Sequence, residues 1–212
     1  MNIADDLRTG WLQLRQRLQA KRLLLGQASL SLRIPGSDMM WFGMADQATP
    51  QRLPRLDPRS AAVGTDVHAA VYAARADVGA VAVGGGEYGQ CLADFGGAMP
   101  QVFDEQARHL GRMGPAATAP GAVADSLRKG GSVLLVDRRP VCLGMTATRM
   151  ALNAELFEKC AKAYVLAAAT GGRIKPLPWI VRHVANGRLD KDRRRAKERF
   201  GQGLLPEESK GY

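Results

Sequence analysis

Gly84, Gly86 and Gly89 fall at the spacing G-x-G-x-x-G inside VAVGGGEYGQ, directly after an apolar, β-branched run. On a turn between a strand and a helix, glycines so spaced let backbone N–H groups meet a pyrophosphate, so the chemistry first suggested is nucleotide binding. The rest of a dinucleotide unit is thin. Asp104 stands near the distance expected of an acid on the ribose, but QVFD is a poor parallel partner for GAVAV, and a largely helical N-terminal third precedes the motif. The competing expectation is a tight turn that needs small residues. Other chemistry-bearing residues are sparse. None of the three histidines, His68, His109 and His183, stands in H-x-H or H-E-x-x-H, and no G-x-S-x-G occurs. Cys91, Cys142 and Cys160 are odd in number and set in apolar company, which suits buried thiols in a reducing compartment, so the expected location is the cytoplasm.

The elements that must position these residues follow from periodicity. Ile3, Leu7, Trp11, Leu14 and Leu18 recur at steps of three and four and predict a helix ending near Gly26. SLSLRI (29–34) alternates with period two, Pro35-Gly36-Ser37 supplies a turn, and MMWFGM reads as the second strand of a hairpin. The proline- and arginine-rich stretch 49–60 reads as a loop around the domain. Thr65 is placed to cap a helix carrying Val67, Ala70, Val71 and Ala74 inward, with strand GAVAV after it. A short helix over 87–95, at most a short strand at 101–103, and a helix over 122–128 come next. Strands SVLLVD and PVCLGM follow, separated by Arg138 and Arg139. The last long helix shows the stripe Leu152, Leu156, Cys160, Ala163 and Ala167, with Glu155–Lys159 and Glu158–Lys162 paired on its surface. Gly171-Gly172 should stop it, and Pro176 and Pro178 should prevent a restart.

The domain is thus expected over 1–180, with a basic C-terminal tail over 181–212. Eight Lys or Arg between Arg182 and Arg199 concentrate much of a formal charge of +10. Such a run grips phosphates by releasing counterions, but it lacks interleaved aromatic residues, so nucleic acid is a partner only through this tail and a solvated or frayed surface is the simpler expectation. No uncharged apolar run of about 18 residues or more appears, so no membrane partner is expected.

Taken together, ASLSLR, the block H-x-x-x-Y-x-x-R-x-D-V-x-A-V (His68, Tyr72, Arg75, Asp77, Val78, Ala80, Val81), and VLL followed by a turn and V-x-x-G resemble the class II aldolase/adducin family over residues 5–172. The resemblance implies a three-layer α/β/α fold with a largely antiparallel central sheet. It also implies an assembly, commonly a tetramer, with sites between subunits, and a divalent metal, usually zinc, that stabilises an enediolate during cleavage or epimerisation. The family's metal ligands are a glutamate before the motif histidine, a His-x-His pair after the next strand, and a histidine in an Asn-His-Gly turn. They fall here on Gly64, on Val83 and Gly85, and on Arg138. None of these side chains offers a lone pair to zinc. Where the family's phosphate-binding pattern reads glycine–asparagine–apolar–serine–x–arginine, this chain has Ala28-Ser29-Leu30-Ser31-Leu32-Arg33, keeping Ser31 and Arg33; of a second phosphate turn only Gly43 is kept.

The departures at these four positions lead instead to the expectation of a homo-oligomeric binding or assembly protein without cofactor, metal or catalytic residue, taking an anionic small molecule. Its candidate binding residues are Ser29, Ser31, Arg33, His68, Arg138 and Arg139. Arg138 and Arg139 could replace the metal's charge or simply form a solvent-facing turn before Pro140. The alternative is an active lyase, epimerase or decarboxylase using a relocated metal at Asp66, His68 and Glu87, with Cys91 nearby. Against it, His68 belongs to the motif helix without being a family ligand, and Asp66 is equally a first-turn helix acid.

Overall fold

In β1 (Ser29–Arg33) the period-two pattern sends Leu30 and Leu32 to one face of the sheet and Ser29 and Ser31 to the other. The structure is a computed structural model that describes residues 3–56 and 64–208. The other strands are β2 (Met39–Met44), β3 (Gln51–Pro54), β4 (Ala80–Val83), β5 (Val133–Val136) and β6 (Arg139–Gly144). They lie in the order β3-β2-β1-β4-β6-β5, antiparallel at every pairing.

Helices α1 (Ile3–Ala20) and α5 (Ala147–Ala169) cover one face of the sheet, on Leu30, Leu32, Ala80, Ala82, Val133, Leu135 and Cys142. On the other face, Met40, Phe42, Val81, Val83, Leu134, Val141 and Leu143 pack under α2 (Thr65–Ala74) and α4 (Val123–Leu127). This is the expected three-layer α/β/α arrangement. A short helix, α3 (Glu87–Cys91), leaves β4 through the glycines and packs on α5.

Several local expectations are corrected. The arginine- and proline-rich stretch contains β3, because an exposed edge strand tolerates Pro54 at its end; residues 57–60 of that stretch lie outside the described residues. The first helix ends at Ala20, ahead of Gly26, and α2 begins on Thr65 itself, after Gly64 in the left-handed conformation. Ala74 is exposed, whereas His68, Ala69 and Tyr72 are buried. No strand forms at 101–103; a π-turn over Gln106–Leu110 follows instead. Arg139 belongs to β6, so the hairpin turn is Asp137-Arg138, at φ 46° and 64°, a two-residue turn whose handedness matches strand twist. Helix α5 starts at Ala147, with Thr146 accepting from the Arg149 amide at 3.1 Å, and turns Met150, Ala154, Phe157, Cys160 and Ala161 inward while Leu152 is exposed.

The largest correction concerns residues 179–201. They form a 23-residue helix, α6 (Trp179–Gly201), which buries Ala185, Leu189, Ala196 and Phe200. Pro178 stands just before the first turn, where its missing N–H has no partner to lose, so it admits the helix it was expected to block. Arg193 reaches Asp77 at 3.2 Å, Arg108 reaches Asp192 at 2.7 Å, and a Cβ on Gly79 would lie 2.7 Å from the Phe200 ring. No helix among the described residues is long and apolar enough to cross a membrane.

Candidate functional site

The glycine turn lies where β4 ends, and protein groups fill it. Gly84 and Gly85 have φ of 142° and 74°, and a Cβ on Gly85 would sit 2.4 Å from Cγ of Pro140. At Gly86 the added carbon would meet the Glu158 carboxyl carbon at 2.5 Å. That carboxylate accepts from the Tyr88 amide at 2.8 Å and from the Gly89 amide at 3.0 Å. The G-x-G-x-x-G spacing thus builds an anion cradle whose anion comes from α5. Glu158 does not pair with Lys162, nor Glu155 with Lys159: Glu155 binds Arg17 and Lys21, each at 2.7 Å, and Lys159 reaches Glu105 at 3.2 Å.

Beneath the same end, α2 and β1 share a buried polar cluster. Ser29 Oγ stands 2.9 Å from His68 Nε2, Ser31 Oγ stands 2.7 Å from Nδ1, and Ser31 Oγ also meets the Tyr72 hydroxyl at 2.9 Å. All four side chains are buried. One hydroxyl accepts from the imidazole N–H and another donates to the bare nitrogen, so neutral His68 has both ring atoms satisfied. Burial, aided by the charge of Arg139, pushes its pKa down to about 3. Burial likewise pushes the Tyr72 phenol up. Further along the same motif, Arg75 donates to both Asp77 oxygens, at 2.8 and 2.7 Å, and to the Gly131 carbonyl at 2.8 Å. The block that most specifically carries the resemblance therefore ties helix, sheet and loop together.

The candidate cations are separated. Ser29 pairs with Val83 and Val83 with Val141, which sets Ser29 and Arg139 at one end of the sheet. Arg33 lies four residues along β1, about 13 Å away at strand rise, stacked 4.2 Å over the Phe200 ring and donating to the Ala76 carbonyl at 2.8 Å. Its pKa is lowered by burial and then by Arg55. Arg138 projects from the turn, exposed and paired with Asp94; half-buried Arg139 donates to the Gln27 carbonyl at 3.2 Å.

The positions that the resemblance assigns to metal ligands do not fit a divalent ion. Gly64 and Gly85 have no side chain, Val83 is a buried hydrocarbon, and the Arg138 guanidinium has no lone pair to give. For the relocated set, metal ligation by His68 would have to displace Ser29 or Ser31. Asp66 accepts from the Val67 amide at 3.0 Å, and Glu87 and Cys91 are exposed. Among the described residues no group of three or more His, Cys, Asp or Glu is placed to hold a metal.

One pair escaped sequence reasoning. His109 Nδ1 lies 2.9 Å from Arg149 Nη1, joining the π-turn to the first turn of α5, and both side chains are buried. Burial, then Arg149 and Arg108, push His109 down to about 4. Arg149 lines cavities of about 460 and 230 Å³, the larger bounded also by Arg195, Glu198 and Gln202 of the last helix and its end. The partners are 40 residues apart, and no local spacing signals the contact.

No protein-family model and no curated protein sequence matches the chain. Solved structures do. L-fuculose 1-phosphate aldolase from Glaciozyma antarctica superposes with a TM-score of 0.66 at 15% identity, over 91% of this chain and 88% of that one. YgbL of Klebsiella pneumoniae, named as a proposed aldolase, epimerase or decarboxylase, gives 0.68 at 17%, over 87% of this chain and 100% of its own. An aldolase II superfamily protein from Pseudomonas syringae gives 0.62 at 16%, over 95% and 94%. At such identities the likeness establishes the fold.

Proposed function

We propose that this chain, which has the class II aldolase fold, is a binding or assembly protein that works without the divalent metal of that family and takes a small anionic metabolite at the arginine turn between β5 and β6. What most supports the metal independence is the filling of the glycine turn after β4 by Pro140 against Gly85 and by the Glu158 carboxylate on the Tyr88 and Gly89 amides, which leaves the anion to the neighbouring arginine turn. An enediolate formed there would lack a Lewis acid, a loss worth several kcal/mol of transition-state stabilisation and orders of magnitude in rate.

The anion would be met by Arg138 and Arg139. Arg139 is held in place by the Gln27 carbonyl, and Arg138 gives up only a surface pairing with Asp94, which costs little. Two guanidinium groups suit a carboxylate or phosphate, which each can grip by two hydrogen bonds. Ser29, Ser31 and His68 would form the rigid floor beneath them, and Arg33 would contribute only to the fold. A homo-oligomer and a cytoplasmic setting complete the proposal. The three free cysteines support the latter by forming no disulfide, with Cys142 and Cys160 buried as expected and Cys91, against expectation, exposed. Aldolase activity, as named for the Glaciozyma antarctica protein, favours the alternative of a lyase with a relocated metal, which would need His68 to exchange a serine for the ion.

Thermal shift with inorganic phosphate, glycerol phosphate and pyruvate tests the proposal, because a ligand that favours the native state raises its melting temperature. The expected result is stabilisation by at least one of them that persists in EDTA and weakens about tenfold in apparent affinity in R138Q/R139Q. Stabilisation that requires added zinc or manganese, or that ignores the double variant, contradicts it.

A further inference from the structure

We infer that the outward face of α6 docks on an anionic lipid surface, with Trp179, Ile180 and Val184 entering the apolar layer. The inference does not depend on the ligand proposed above. The helix buries Ala185, Leu189, Ala196 and Phe200. Opposite them, at steps of three and four, run Ile180, Val184, Arg188, Lys191 and Arg194, with all but the first two cationic and every one exposed. Trp179 is 70% exposed, Ile180 58% and Val184 51%, an unusual grouping of large apolar side chains in water. Arg173 and Lys175, also exposed, flank this apolar end from the preceding loop. Two of the acids of the helix are engaged, Asp192 by Arg108 and Asp190 by Arg193, so the stripe keeps its positive sign until Glu198.

Charge and hydropathy together select the partner. A second copy covering the whole face would set the cations of one stripe near those of another, and one meeting only the apolar end would leave the cations without a partner. A nucleic acid would satisfy the cations and leave Ile180 and Val184 wet. A bilayer with anionic head groups offers phosphate and carboxylate to Arg188, Lys191 and Arg194, and hydrocarbon to the apolar end. Each basic residue at such a surface multiplies partition by about five. The contact is with the surface and requires no membrane span.

Co-sedimentation with phosphatidylcholine vesicles, with and without phosphatidylserine, tests this on the whole chain, with tryptophan emission as a second readout. Trp11 is buried and Trp41 half-buried, so a blue shift reports on Trp179. The expected result is binding to the serine-containing vesicles alone, with a blue shift, loss in high salt, and at least tenfold weaker partition in both I180S/V184S and R188E/K191E. Absence of binding, or binding indifferent to either double variant, overturns the inference. So does RNA binding that survives I180S/V184S without any vesicle binding, or a dimer dissolved by that variant in its place.

Discussion

His68 is the residue that ties α2 to β1, and its cost appears in acid. It is neutral in the folded protein, with a pKa near 3 set by burial and by Arg139, against an ordinary 6.5. Between those values the unfolded chain binds the extra proton, so this contribution to stability is complete above about pH 6.5 and drains away as the pH falls toward 3. The slope approaches about 1.4 kcal/mol per pH unit for one such group. His109, near 4 through burial and two arginines, acts in the same direction. Asp77, held low by Arg75 and Arg193 although burial opposes its charge, adds to the loss below the ordinary carboxylate range. Urea unfolding of wild type and H68Q at pH 7, 6, 5 and 4 should show a less stable variant at pH 7 and a shallower decline below pH 6.5. Equal slopes would refute the buried neutral imidazole. Of the residues singled out by sequence, Ser29, Ser31 and His68 do converge, because the alternation of β1 turns both serines to the face that α2 covers. Arg33 is separated from Ser29 by strand rise along β1 alone, whereas its separation from Arg139 depends on the register of antiparallel strands, which no pattern announces.

At the scale of elements, the short helix after β4 and the long helix α5 are joined by Glu158 on the glycine turn. A methyl group at position 86 would push against the Glu158 carboxyl carbon 2.5 Å away. G86A should therefore destabilise by about 1–3 kcal/mol through overpacking. E158A should cost about 1–2 kcal/mol by stranding the amides of Tyr88 and Gly89, partly reached by water. The double variant should lose less than the sum, since each change removes what the other offends, with a coupling of about 0.5 kcal/mol or more in chemical denaturation. Strict additivity would show that cradle and carboxylate do not act together. In the sequence the glycines signal close approach, but what approaches is an α5 side chain 69 residues beyond Gly89, and Glu158 looks like any surface acid beside a lysine four positions on.

For the whole molecule, the layers were legible because β1, β4 and β5 write their faces in simple alternation or in short apolar runs, and because Trp11, Leu14 and Leu18 keep one helical stripe. Helix α6 was hidden: its inward residues, Ala185, Leu189, Ala196 and Phe200, are spread thinly among charges, and its docking depends on Arg193 meeting Asp77 across 116 residues. The site was legible only as a set of departures from a family pattern, at Gly64, Val83, Gly85 and Arg138. How the glycine turn around Gly85 is filled, by Pro140 and by Glu158 at its neighbours Gly86 and Gly89, belongs to the tertiary structure. The most direct test of a metal-independent protein is the metal content of the purified chain after equilibrium dialysis against zinc and manganese. The account predicts far less than one ion per chain, with unchanged thermal stability on addition of EDTA. One tightly held ion per chain, lost together with stability in H68A, would contradict it.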